Sequence, residues 1–211
     1  MTRCPRSPGR GAAHNTLVPL SDMTSPNNFA EDEAAAWDLW IMDHELPAHP
    51  GTLKKGDSVP VARWVGPTFG AVLRVEWSWG GDPPMEDHLV SVVQVMKRTP
   101  SGWDVSPGDG GGGWFDPPLQ RPSLGRHHVQ IGGLHMSGTE DWMRTAVWGL
   151  VGSDISTVDL LAKDLVISRT VESAMGAIVV AFDSAVPAAI HLSASDGTLV
   201  KALSWDTFAL T

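Results

Sequence analysis

The chain has a single cysteine, no tyrosine, and 15 basic side chains against 24 acidic ones. One cysteine excludes an intrachain disulfide and a four-thiolate zinc site. Cys4 lies among Pro, Arg and Gly residues with no rigid base beside it, so it is not expected to act as a nucleophile. Lack of tyrosine removes the hydroxyl acid on which many short-chain reductases depend. A net charge of −9 repels a polyphosphate backbone and argues against nucleic acid as a partner. Long apolar runs are also missing. Stretches such as Ala177–Phe182 fall far short of the ~20 residues of a membrane-spanning helix, and Pro19 interrupts Leu17, Val18 and Leu20 where a secretory signal would need a continuous core. The expectation is a cytoplasmic protein that does not engage a membrane.

What is present is ordinary for a globular chain. Its 211 residues are 42% hydrophobic and 18% charged, enough for one large domain or two small ones. Residues 1–27 are rich in Pro, Gly, Arg, Ser and Asn without an apolar period, and are read as a disordered tail in which Met23 is an alternative start. One helix is expected from Phe29 to His44, with Asn28 as N-cap, Glu31–Glu33 in the first turn and Trp37, Trp40, Ile41 and His44 along one face.

Strand chemistry follows. Phe69, Ala71, Leu73, Val75, Trp77 and Trp79 alternate with Val72, Arg74, Glu76 and Ser78, the signature of a half-buried strand. Further strands are expected at 59–65, 89–97 and 103–105, the last after a turn at Thr99–Gly102. Residues 28–106 therefore read as a helix packed on a curved antiparallel sheet. Residues 107–126, with Gly110–Gly113, Pro117, Pro118 and Pro122, read as a linker loop. Strands at 142–151, 157–161, 165–171, 177–182, 188–192 and 198–203 make residues 127–211 an antiparallel β-sandwich, with Asp196-Gly197 expected as a two-residue hairpin turn. The fold class is α+β, mostly β.

The series Gly149-Leu-Val-Gly152, Val158-Asp-Leu160, Arg169-Thr-Val171, Gly176 to Phe182, Pro187 and Ala194-Ser-Asp-Gly197 resembles the strand-and-turn layout of uncharacterised bacterial immunoglobulin- or fibronectin-like sandwich domains. The resemblance covers about the last third of the chain. It implies a fold and carries no catalytic residue across.

Constellations with catalytic or metal-binding spacing fail one by one. His44 and His49 are five apart with Pro47 between them, so they cannot share a helical face as zinc ligands. His127 and His128 would point to opposite sides of a strand, leaving one to meet His135. The acidic stretches 82–88 and 104–116 fit no calcium-loop order. Gly110–Gly113 lacks the Lys and Ser/Thr of a phosphate loop. Asp87, His88 and Glu76 could form an acid/base group only if their sheet opened into a pocket. No metal and no cofactor is expected.

Ten tryptophans remain to be explained. Exposed tryptophan is typical of recognition surfaces, so the leading expectation is a non-catalytic binding or interaction protein using Trp77, Trp79, Trp103 and Trp114, its partner a protein or a small molecule. The alternative is a small-molecule enzyme of lyase or isomerase type with a pocket between the helix and the sheet. Unpaired edges in the C-terminal sandwich add the expectation of a homodimer through an edge strand.

Overall fold

The structure is a computed structural model that describes residues 31–47, 53–54, 57–78, 88–105, 110–115, 119–139, 142–173 and 175–205. It is mostly β, with antiparallel pairing throughout the described strands. Among the described residues one helix, α1 (Glu31–Ile41), precedes twelve strands. The first sheet holds β1 (Ser58–Val65), β2 (Phe69–Ser78), β3 (His88–Thr99) and β4 (Gly102–Val105) in that order. Its fifth strand, β5 (Gly110–Phe115), pairs with the Leu89–Val93 end of β3 while β4 pairs with the Met96–Thr99 end. The second sheet is β10 (Ala177–Asp183), β7 (Trp142–Val151) and β6 (Val129–Thr139). The third is β12 (Leu199–Trp205), β11 (Ala188–Ala194), β8 (Ile155–Ala162) and β9 (Leu165–Thr170).

The second sheet is the middle layer. Ala177–Phe182 of β10 and Arg144–Val151 of β7 are buried at every position, which a strand can be only if both of its faces are covered. β10 lies against β1 and β2 on one side, and Phe182 sets its ring 5.7 Å from Trp205 of β12. One hydrophobic core results. Val59, Trp64 and Leu73 belong to the same cluster as Trp148, Val179 and Ile190, so the two regions 28–106 and 127–211 share their interior. Each large side chain buried there contributes about 1.5–3 kcal/mol. Gly133 of β6 is required by close approach, because the Trp148 indole occupies the space a Cβ would take.

α1 covers a separate, smaller cluster. Trp37 and Ile41, with Met42 just beyond, are buried with Val72 of β2 and Met96 of β3. By strand alternation these two lie on the face of the first sheet opposite Leu73 and Val95. Asp38, fully buried, pairs with Arg74 of β2, whose Nη2 also meets Glu76 Oε1 at 3.1 Å. The helix ends at Ile41, short of His44, and Asn28 and Phe29 lie outside the described residues. Its aromatic stripe divides: Trp37 and Ile41 are buried, while His44 is exposed and stacks on Trp40 at 4.0 Å.

Two strands had no counterpart in the expected pattern. β5 lies inside 107–126, the span expected to be a linker loop, and is built on GGGGWF, a sequence with almost no β-propensity. β6 carries Gly132, Gly133 and Gly138 and lacks clean alternation. The turn at Asp196-Gly197 also differs. Only Gly197 takes a positive φ, 83°, and Gly197 N–H donates to Ala194 O at 2.9 Å while Ala194 N–H donates to Thr198 O at 2.9 Å. This is a three-residue loop ending in a left-handed glycine. Two-residue hairpins occur instead at Pro100-Ser101 between β3 and β4 and at Lys163-Asp164 between β8 and β9, where Lys163 adopts φ 53°.

Candidate functional site

Of the four expected tryptophans, the two whose side chains are described, Trp77 and Trp103, lie on opposite faces of the first sheet. Trp77 is half-buried against the main core, on the face of β2 that carries Leu73 and Val75. Trp103 is half-buried on the other face of the same sheet, packed with Met42 beside Gly70 and lying under the Arg98 guanidinium at 5.2 Å. Trp79 lies outside the described residues, and of Trp114 only the backbone, in β5, is described. The space between α1 and the first sheet is occupied by the Trp37–Met96 cluster and the Asp38–Arg74 pair.

His127 and His128 are exposed and His135 is half-buried. His127 Nε2 meets Asp154 Oδ2 at 3.1 Å at an exposed turn that Arg126 shares, and His135 lies within β6. Among the described residues no group of three or more His, Cys, Asp or Glu is placed to hold a metal ion. His49, Asp87 and the acidic stretch 82–87 lie outside the described residues.

The site that the fold does build is a seam between two sheet edges. β1 is one edge of the first sheet and β9 one edge of the third. Three adjoining hollows, of about 400, 320 and 370 Å³, lie along β9 and face the end of β1 and the β1–β2 turn. Gly66–Phe69 lines the first with Ala162–Leu165 and Ile167, Val65–Pro67 the second with Leu165–Arg169, and Arg63 and Val65 the third with Arg169, Thr170 and Glu172. Residue numbers rise along β1 as they fall along β9, so the two edges run antiparallel.

The backbone groups that face this seam follow from the pairing. In a two-residue hairpin the flanking pair, here Ala162 and Leu165, exchanges hydrogen bonds. Leu165, Ile167 and Arg169 therefore bond to β8, and the N–H and C=O groups of Val166, Ser168 and Thr170 face the open edge. On β1, Gly66 N–H is taken by Phe69 O at 3.0 Å, which turns the Val65 carbonyl outward.

Arginine side chains bridge the gap. Arg169 donates from Nε and Nη2 to Val65 O at 3.1 and 2.8 Å, and from Nη1 to Ser168 O at 2.8 Å. One guanidinium thus satisfies a carbonyl on each of two strand edges, a device that blunts an open edge. Further along, Arg63 Nη1 donates to Ile41 O at 2.9 Å and to His44 O, capping the C-terminus of α1 with a cation where the helix dipole favours one. Its Nε meets Glu172 Oε2 at 3.0 Å.

The hollows differ in character. The first is apolar, floored by Phe69, Leu160, Ile167 and Phe182, with Lys163, Asp164 and Asp183 at its rim. The middle one is lined by Arg98 and Arg169 and by no carboxylate, a local excess of positive charge on an acidic chain. Beside it stand Leu165 and Val166, 44% and 67% exposed. The sequence signal for this site was the two-residue turn between two β-branched runs, together with arginines at positions where a strand alternates.

Compared with protein-family models, with curated proteins and with solved structures, the chain matches none.

Proposed function

We propose that the protein is a non-catalytic binding protein whose ligand seats in the seam between β1 and β9. The observation that carries this reading is the apolar hollow of about 400 Å³ floored by Phe69, Leu160, Ile167 and Phe182. That volume falls in the range of about 300–1,000 Å³ typical of ligand sites, and its few polar groups stand at the rim, where they would fix orientation. Lys163 holds a left-handed φ at that rim, and backbone strain of this kind concentrates at ligand sites. Trp77 and Trp103 serve this reading as packing, with Trp103 lying against Arg98, which lines the middle hollow.

In the same reading, α1 covers the outer face of the first sheet, and the second and third sheets form the immunoglobulin-like sandwich suggested by the C-terminal turns. The third sheet's order, β12-β11-β8-β9, supports it. The experiment is a titration with anilinonaphthalene sulfonate, a dye with an apolar body and one anionic group. One saturable site is expected. Ala162→Trp, which places an indole in the hollow, should abolish the emission, whereas Leu199→Trp on the exposed face of β12 should leave it intact. Equal emission from the Ala162→Trp protein would overturn the reading.

A further inference from the structure

We infer that the natural occupant of the seam is an extended, acidic peptide segment that adds as a strand to the open edge of β9. This rests on the reading of the seam as the binding site and names the class of ligand it takes.

Three observations converge on an extended chain rather than a compact molecule. The hollows lie in a row along the whole of β9, so the available space is long and narrow. The outward N–H and C=O groups of Val166, Ser168 and Thr170 repeat at the two-residue interval that a neighbouring strand reads. Among the described residues no strand pairs with this edge. Val166, exposed beside it, offers an apolar side chain for cross-strand contact with an incoming residue.

Charge selects the kind of peptide. The middle hollow brings Arg98 and Arg169 together without a carboxylate. Arg169 now donates to Val65 O and Ser168 O, two carbonyls that backbone N–H groups of an added strand are suited to take. Entry of that strand would release the guanidinium. A carboxylate on the peptide then gives it a charge-assisted partner, which offsets the loss of its carbonyl contacts. A lysine at the same position would leave three cations facing one another. The apolar first hollow accepts a hydrophobic side chain farther along the same peptide.

The test uses the full chain immobilised against two octapeptide libraries that differ only in a central residue fixed as Glu or as Lys. Glu peptides should be retained at least about tenfold over Lys peptides, a difference of about 1.4 kcal/mol. The double substitution Arg98→Glu with Arg169→Glu should reverse the preference. Val166→Pro removes an N–H that faces away from β8 and so leaves the β8–β9 ladder intact. It should abolish peptide retention while anilinonaphthalene sulfonate still binds. Equal retention of both libraries, or retention of neither with the dye still bound, would overturn strand addition and leave the seam as a small-molecule site. Loss of dye binding as well as peptide retention in the unaltered protein would overturn both readings.

Discussion

The molecule joins its sheets in two different ways. Where the middle sheet meets the first, the contact is mostly hydrocarbon: Ala177–Phe182 and Ala146–Val151 are buried across both faces, and the buried Arg144 guanidinium sits 5.9 Å from the Phe69 ring. Where the first sheet meets the third along β1 and β9, the contact is made by guanidinium groups reaching to carbonyls and to Glu172. Hydrocarbon contact is short-ranged and loses its stabilisation on any separation, whereas an arginine side chain can exchange one acceptor for another. The first joint holds the fold together. The second can open at small cost, and that is where the hollows are.

Mutations can break this contrast most sharply at the core. Trp148→Ala should destabilise the protein by about 3–5 kcal/mol, read as a lowered urea midpoint, because it empties the largest buried volume of β7. Gly133→Val should produce a comparable loss by driving a side chain into that indole. Next comes the helix clasp. Asp38→Ala leaves the Arg74 guanidinium, 8% exposed, without its buried carboxylate and should cost about 3 kcal/mol. A double-mutant cycle with Arg74→Met should recover part of that loss.

The seam should respond more weakly. Arg63→Ala removes the C-terminal cap of α1 and the contact to Glu172, for an expected cost of about 1–2 kcal/mol. Smallest is a pH effect at the β11–β12 turn. Thr198, chiefly through its backbone N–H, donates to the Asp196 carboxylate and holds its pKa below the usual value. Because the folded pKa is depressed, the stabilisation is present above about pH 4 and lost as pH falls through the lower folded value. Urea midpoints measured from pH 5 downward should therefore fall more for the unaltered protein than for Asp196→Asn.

Much of the strand content could be read from side chains alone. β2 carries strict alternation from Phe69 to Ser78, and β10 is an uninterrupted apolar run bounded by Gly176 and Asp183; both match the expected spans to within a residue. β5 and β6 were illegible for the opposite reason. Their glycines supply no alternation, and they are strands because β3 and β7 offer ladders to pair with. That is tertiary context overriding local preference. The position of β10 in a middle layer was also hidden, since an apolar run signals burial on two faces without naming the sheets that cover it.

The seam was legible only in parts. Arg63, Arg98 and Arg169 are scattered over more than a hundred positions, and nothing in their local sequence marks them as neighbours. Conversely, Trp77 and Trp103 looked alike as aromatic strand residues, yet they lie on opposite faces of one sheet. Alternation could place Trp77, whose strand is long. It could not place Trp103, on a four-residue strand whose facing depends on the turn before it.

Native-state hydrogen exchange compares the two joints directly. The amides of Ile167 and Arg169, which bond to β8, are expected to exchange through an opening of lower free energy than those of Ile178 and Val180 in β10, which bond to β7, and Arg169→Ala should speed exchange in β9 while leaving β10 unchanged. Equal protection of β9 and β10, with Arg169→Ala accelerating both together, would contradict the division into a packed joint and an openable one.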